Sequence, residues 1–330
     1  MKTLLVVLSE LCNLDCSYCD MEKTSNKSID VDLFLKEFEL LRETYPEEII
    51  KVDFFGGEPL LQLDKVKYII NHINDDNIKY FMPTNGLKMT KKSKQYLLDN
   101  NVELSLSFDG LWQDLNRKQL TGKGTLQHYL EKKDLFKGMK CHTMISTGNY
   151  NLLENHLFIL NEFGIVPDMT LVRDRGIWDI ESVTALNKGI QELFDWYREN
   201  PSEPMPFLIL FYLRHFLLYE SKKYVVESCG AGVDLFSFSE DKVVPCNRFK
   251  DDLVATNNIT SYVHTSACNT CSVKNYCKKG CLYEQIKNEG PIVDICTIYK
   301  YIYKAIAILV KDLRDNKDFK RIIMEELNNE

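Results

Sequence analysis

Cys12-Asn13-Leu14-Asp15-Cys16-Ser17-Tyr18-Cys19 is the stretch on which the reading of this 330-residue chain turns. Its three cysteines, spaced Cys-x3-Cys-x2-Cys, follow a short apolar run at residues 3–9 that reads as a buried strand. A structural zinc site takes four protein ligands, and no fourth cysteine or histidine stands close by. Three thiolates suit a [4Fe–4S] cluster in which one iron lacks a protein ligand and can accept another group. A disulfide plus one free thiol is the other reading of this spacing. Tyr18 is the kind of aromatic that packs on an adenine ring.

Outward from this loop the chain alternates. Val31 to Tyr45 carries apolar residues at helical spacing behind Asp30 as an N-cap, and Lys51 to Phe55 is a strand ending in Gly56-Gly57. Helices at 62–75, 91–100, 125–136 and 151–163 then alternate with strands at 78–84, 102–108, 140–147 and 167–173. Such alternation predicts parallel βαβ units, which wind right-handed and place ligands at the carboxyl ends of the strands. From 182 to 220 the pattern is helical, with Ser182 as a cap. Residues 298–327 read as one long amphipathic helix.

Composition narrows the function classes. Hydrophobic residues make up 45% and charged residues 27%, the balance of a globular chain. Net charge is −7, so no bulk positive field draws the chain to nucleic acid, and the Lys-rich stretches 88–95 and 131–140 read as solvated helix faces. The amino end lacks the long apolar core of a secretory signal, and Pro206–Tyr219 is too short and too charged to span a bilayer. These features predict a cytoplasmic protein with no nucleic-acid or membrane partner. Disulfides are rare in that compartment, and clustered cysteines there more often bind metal.

The motif Cys12-x3-Cys16-x2-Cys19 with Tyr18, together with Phe55-Gly56-Gly57-Glu58-Pro59 at the next strand end, resembles the radical S-adenosylmethionine (SAM) enzymes. The resemblance implies an α/β fold, a partial (β/α)6 TIM-like barrel whose cluster SAM chelates through its amino and carboxylate groups. It implies that Gly56, Gly57 and Glu58, with Pro59 behind them, hold the methionyl amino group. Thr84 and Asn85 would close the third strand against SAM. Ser107 and Asp109 would face the ribose or the methionyl carboxylate, with Arg117 a little beyond. Turn chemistry alone also accounts for Asn85-Gly86 and Asp109-Gly110. Arg173, on the sixth strand, would neutralise the SAM carboxylate or form a surface ion pair.

Seven of the eleven cysteines lie between 221 and 297: Cys229, Cys246, Cys268, Cys271, Cys277, Cys281 and Cys296. The middle four, spaced Cys-x2-Cys-x5-Cys-x3-Cys, also fit a zinc ribbon. Their order resembles the SPASM extension found behind many radical SAM domains, which implies a small cysteine-rich domain with two auxiliary [4Fe–4S] clusters. By that resemblance Cys268, Cys271, Cys277 and Cys296 hold one cluster, and Cys229, Cys246 and Cys281 hold the other without a fourth cysteine. Asp241 stands where the family usually has glycine. Lone Cys141 reads as a core residue. The implied organisation is a barrel at 1–180, a helical connector at 181–220, the SPASM domain at 221–297 and a C-terminal helix at 298–330.

The resemblance implies three [4Fe–4S] clusters, SAM, and an external one-electron reductant such as flavodoxin or ferredoxin. SAM would be cleaved to a 5′-deoxyadenosyl radical that takes hydrogen from a peptide, leading to a crosslink or thioether in a ribosomally made substrate. A small-molecule dehydrogenase and a sulfatase-maturing type are the alternatives, and a zinc or iron–sulfur scaffold without activity is a third class. The sulfatase-maturing subgroup carries an acid after the second SPASM cysteine. This chain has Asn247, which cannot accept a proton. The barrel begins at residue 3, so recognition is expected from a separate leader-binding protein, the 182–220 helices or a leaderless substrate. Phe207, Phe211, Tyr212, Phe216 and Tyr219 form a peptide groove or, at helical spacing, core packing.

Overall fold

Lys2-Thr3-Leu4-Leu5-Val6-Val7 becomes strand β1 (Lys2–Val7) in a computed structural model of the chain. The structure describes residues 1–23, 27–173, 177–220, 229–251, 266–277, 280–287 and 289–328. They group into two units, Met1–Cys141 with Gly230–Thr260, and His142–Cys229 with Ser261–Glu330.

In the first unit β1 leads to β2 (Leu14–Cys16), α1 (Val31–Thr44), β3 (Ile50–Phe55), α2 (Leu63–His72) and β4 (Ile78–Thr84). There follow α3 (Lys91–Asp99), β5 (Val102–Ser107), α4 (Gln113–Asn116), β6 (Arg117–Gln119), α5 (Leu126–Glu131) and α6 (Lys133–Phe136). Strands β1, β3, β4 and β5 pair in parallel in that order, as the alternation predicted. Asp30 caps α1, its carboxylate accepting from Asp32 N and Leu33 N at 3.0 and 3.1 Å.

Side-chain alternation splits this sheet into two faces. Leu4, Val6, Val52, Phe54, Tyr80, Met82 and Leu104 share one, all buried, each apolar side chain contributing about 1.5–3 kcal/mol by leaving water. The other carries Lys51, Asp53 and Phe55, then Phe81 and Pro83, then Ser105 and Ser107. This polar face ends at the carboxyl ends of the strands, where the cysteine loop lies.

The second unit continues β7 (Lys140–Ile145), which begins at the boundary, into α7 (Leu152–Phe163), β8 (Asp168–Leu171), α8 (Ile180–Glu199) and α9 (Phe207–Glu220). Strands β7 and β8 are parallel, with Ile145 opposite Leu171. The chain thus forms an α/β core with a mixed sheet of the kind a partial TIM-like barrel contains.

Three details differ from the sequence reading. Residues 235–239 form β9, which pairs in parallel with β1, and Lys242–Val244 form β10, antiparallel to β9. Leu235-Phe236-Ser237-Phe238-Ser239 alternates weakly, but Phe238 is buried and meets Phe34 of α1 edge-on at 5.4 Å. Asp179 rather than Ser182 caps α8, its carboxylate accepting from Ser182 N at 2.8 Å. The single C-terminal helix is two, Val293–Leu313 and Lys317–Asn328, separated where Asn316 Oδ1 accepts from Phe319 N at 3.0 Å.

The hairpin between β9 and β10 turns on Glu240 and Asp241, both left-handed with φ of 49° and 59°. That is the two-residue turn whose twist matches a hairpin, and Asp tolerates the left-handed region better than most residues. On α9, Tyr212 packs with Tyr299 and Tyr303, and Phe216 and Tyr219 pack on Tyr276. Tyr212, Tyr299 and Tyr303 are core, whereas Phe216, Tyr219 and Tyr276 are half-buried. Cys141 is buried as well. No helix among the described residues is long and apolar enough to cross a membrane.

Asp53 is 8% exposed and its Oδ1 has no hydrogen-bond partner. Burial pushes its carboxyl up to about 7. The folded value exceeds the unfolded one, so stability falls as pH rises from about 4 through 7, at most about 1.4 kcal/mol per unit. Urea midpoints across pH 5 to 8 are expected to fall more steeply for the wild type than for Asp53→Asn. Equal slopes would show that Asp53 does not titrate in that window.

Candidate cofactor site and cysteine clusters

A cavity of about 180 Å3 opens at the carboxyl ends of β3, β4 and β5 in the first unit. Cys12, Cys16 and Cys19 line it with Tyr18. Gly56, Gly57, Glu58 and Pro59 contribute from the end of β3, Thr84 and Asn85 from β4, and Ser107 from β5. Residues separated by up to 95 positions in sequence thus share one wall because parallel βα units bring all strand ends to one edge.

Backbone contact sets this geometry. Gly57 N donates to Ser9 O at 2.8 Å and Glu58 N to Leu11 O at 2.9 Å, continuing the β1–β3 pairing into the cysteine loop. Gly56 has φ of 126°, and a Cβ there would lie 2.3 Å from Ser9 O. At Gly57 a Cβ would lie 2.3 Å from both Glu10 O and Leu11 O. Only glycine allows this approach.

Glu58 is 2% exposed. Its carboxylate accepts from Leu60 N at 3.0 Å, Thr84 Oγ1 at 2.5 Å and Asn85 N at 2.7 Å. Burial pushes its pKa up, and those donors pull it back down. The carboxylate therefore staples the β3 and β4 ends while facing the cavity. Asn85 extends the link, donating from Nδ2 to Asn13 Oδ1 at 2.7 Å, beside Cys12 Sγ at 3.9 Å. Tyr129 OH donates to Asn85 O at 2.6 Å.

Asp109 is fully buried and sits behind the wall rather than in it. It accepts from Tyr18 OH at 2.7 Å and Asn116 Nδ2 at 2.9 Å, and pairs with Arg117 at 3.0 Å. The site residue that the sequence reading underweighted is Arg117, which lines the cavity and is buried. Strand β6 pairs antiparallel with β2, setting Arg117 opposite Cys16, and its guanidinium lies 5.4 Å from the Tyr18 ring centroid. No local pattern announces a three-residue pair made across 101 positions.

Burial pushes the Cys16 thiol up to about 11 against the pull of Arg117, and raises Cys12 as well. Both are therefore thiols until metal binding displaces their protons. Among the described residues, no three His, Cys, Asp or Glu side chains converge on a single-ion site. A cubane is gripped at separate corners, and three thiols on one wall beside a buried cation fit it.

The second unit has a cavity of about 230 Å3, lined by Cys268, Cys271, Cys277, Cys281 and Cys296 among apolar residues. Burial, with Cys277, Cys268 and Cys271 nearby, pushes Cys296 up to about 11. Cys229 is exposed at the edge of the same unit, and Cys246 belongs to the first unit. Arg173 is absent from the lining of the first cavity and lines this one.

Two substitutions test the first site. Asp109→Asn leaves the Arg117 guanidinium buried without its anion and is expected to cost about 3–5 kcal/mol in urea unfolding. Gly57→Ala forces two backbone segments apart and is expected to lose about 1–3 kcal/mol. An unchanged midpoint in either variant contradicts the geometry given for that residue.

A family model described as the radical SAM superfamily matches residues 6–156. An uncharacterized protein of Methanocaldococcus jannaschii is 28% identical over 174 residues, 50% of this chain and 60% of that protein. The radical SAM cyclopropyl synthase TigE of Paramaledivibacter caminithermalis is 22% identical over 355 residues, 92% of this chain and 74% of that protein. Native anSMEcpe, solved with bound AdoMet and Cp18Cys peptide, is similar in fold with a TM-score of 0.69 at 18% identity, covering 99% of both chains. The matched segment, residues 6–156, holds both the three-cysteine loop and the Gly56-Gly57-Glu58 turn, and over that segment the chain matches the radical SAM superfamily.

Proposed function

We propose that this protein is a radical SAM maturase that modifies a peptide through hydrogen abstraction. The observation that carries the reading is the single cavity shared by Cys12, Cys16, Cys19 and the Gly56–Glu58 turn. In this reading Cys12, Cys16 and Cys19 would hold a [4Fe–4S] cluster, with SAM bound beside it against the Gly56–Glu58 turn. When bound, the pair supplies a carbon radical strong enough to take hydrogen from an unactivated C–H bond.

The chain's own residues bind and orient. Gly56 and Gly57 let the substrate's methionyl end approach the backbone, and Glu58 keeps that turn fixed to Thr84 and Asn85. Ser107 offers a hydroxyl at the β5 end. Tyr18 is held by Asp109 as a surface for the adenine, and Arg117 presents a buried cation to the SAM carboxylate. The apolar lining, which includes Leu14, Phe55 and Pro83, excludes water from the reacting centre.

The seven later cysteines support a reading of two auxiliary [4Fe–4S] clusters, with Cys268, Cys271, Cys277 and Cys296 on one and Cys229, Cys246 and Cys281 on the other. The grouping of Cys296 with Cys277, Cys268 and Cys271 supports the first set. The peptide class is supported by the full-length likeness to a fold solved with a bound peptide. Asn247, whose Oδ1 lies 3.5 Å from Cys246 Sγ, offers no base, so oxidation coupled to crosslinking fits better than a step needing a carboxylate there. Electrons would come from a flavodoxin or ferredoxin in the cytoplasm, and a separate protein would present the peptide leader.

Anaerobic reconstitution is expected to load about twelve irons per chain. Changing Cys12, Cys16 and Cys19 together to Ala should leave about eight and abolish 5′-deoxyadenosine formation. Persistent 5′-deoxyadenosine would overturn the site. Co-expression with short peptides encoded nearby should shift the mass of one of them, and an unchanged set would move the substrate to the small-molecule class.

A further inference from the structure

Arg173 follows β8 by two residues, and its backbone is held in place by Trp178, whose buried indole donates from Nε1 to Val172 O at 2.8 Å. The side chain enters the cysteine-lined cavity of the second unit. Its Nε is buried and without a hydrogen-bond partner. Among the described residues, the groups that favour its charge are the phenols of Tyr299 and Tyr212 and the thiols of Cys281 and Cys229.

A guanidinium removed from water costs several kcal/mol unless an anion stands beside it. Phenols are neutral and do not supply that anion. Four iron atoms, their sulfides and ligating thiolates do, because the thiolate charge leaves such a cluster net negative. The other cations lining the cavity are different in kind. Lys300 is exposed, and Lys274 donates to Asn269 O at 2.9 Å, so water screens both. Arg173 is half-buried, with its Nε shielded from water.

The cysteines sort around it. Cys296 is grouped electrostatically with Cys277, Cys268 and Cys271, whereas Cys281 and Cys229 act on Arg173. We propose that Arg173 is the counter-ion of the auxiliary cluster ligated by Cys281 and Cys229, and that it raises the reduction potential of that cluster. This rests on the auxiliary-cluster reading above. A fixed positive charge stabilises the more negative reduced state, and charge and hydrogen bonds at the ligand sulfurs are the protein's means of tuning such centres. Arg173 acts through the cluster and is a positioning residue. The sulfonium substrate's carboxylate is then left to Arg117.

The test is a potentiometric titration of the full-length, anaerobically reconstituted protein, followed by electron paramagnetic resonance. The Cys12, Cys16 and Cys19 to Ala background removes the signal of the first cluster. In that background Arg173→Gln is expected to lower the reduced-to-oxidised ratio of one auxiliary cluster at least tenfold at its wild-type midpoint, about 59 mV for one electron. The other cluster should shift less, and Arg173→Lys should recover most of the change. If Arg173→Gln fails to load that cluster, restored iron content and signal in Arg173→Lys supports the counter-ion role. Failure of both to load makes the residue a packing element and overturns it. Two normal auxiliary signals with unmoved potentials overturn the proposal while leaving the clusters standing. Absence of any auxiliary signal in the parent protein overturns the cluster reading itself.

Discussion

A buried carboxylate governs the amino-terminal site. Glu58 has almost no contact with solvent, which raises its pKa, and Leu60 N, Thr84 Oγ1 and Asn85 N donate to its carboxyl and offset part of that burial. Hydrogen bonds to a charged group are worth about 1.5–3 kcal/mol each, more than neutral ones, and three of them converge here. They tie the end of β3 to the end of β4. From Asn85 the link runs to Asn13 and the first cysteine, and from Gly57 it runs back to Ser9. Loosening this carboxylate would free the turn, the loop and the cavity wall together.

Behind that wall lies a second charged arrangement with a different purpose. Asp109 pairs with Arg117 and accepts from the Tyr18 hydroxyl, so one buried anion orients both a cation and an aromatic ring that face the cavity. A low local dielectric makes such a set rigid when complete and costly when broken. In the proposed cluster reading the cation would also counter the negative charge of three ligating thiolates. Arg117 is thus a basic group placed for an anionic centre, and burial raises the Cys12 and Cys16 thiols beside it.

The second unit solves the same problem with fewer backbone constraints. Helices α8, α9 and Val293–Leu313 supply its apolar packing, and the aromatics of α9 interlock with Tyr276, Tyr299 and Tyr303. Short helical turns at Ser266–Asn269 and Leu282–Lys287 carry little core of their own. Segments of that size commonly depend on metal for order, which accords with five cysteines around one cavity.

Local signals in the chain were enough for the βα alternation, the Asp30 cap and the three-cysteine loop with its Gly56-Gly57 partner. Each depends on neighbours a few residues apart, where periodicity, capping and turn chemistry operate. Long-range pairing was not legible. That β9 joins β1, that β6 delivers Arg117 opposite Cys16, and that Arg173 enters the cysteine cavity of the second unit depend on contacts across tens to hundreds of positions. Weakly patterned strands such as Leu235–Ser239 and Arg117–Gln119 take their conformation from the partner they meet. Sequence by itself determined which chemistry the chain can hold, because ligand spacing is local; the tertiary structure alone decided which charges surround it, because a buried cation acquires its meaning from whatever the fold packs beside it.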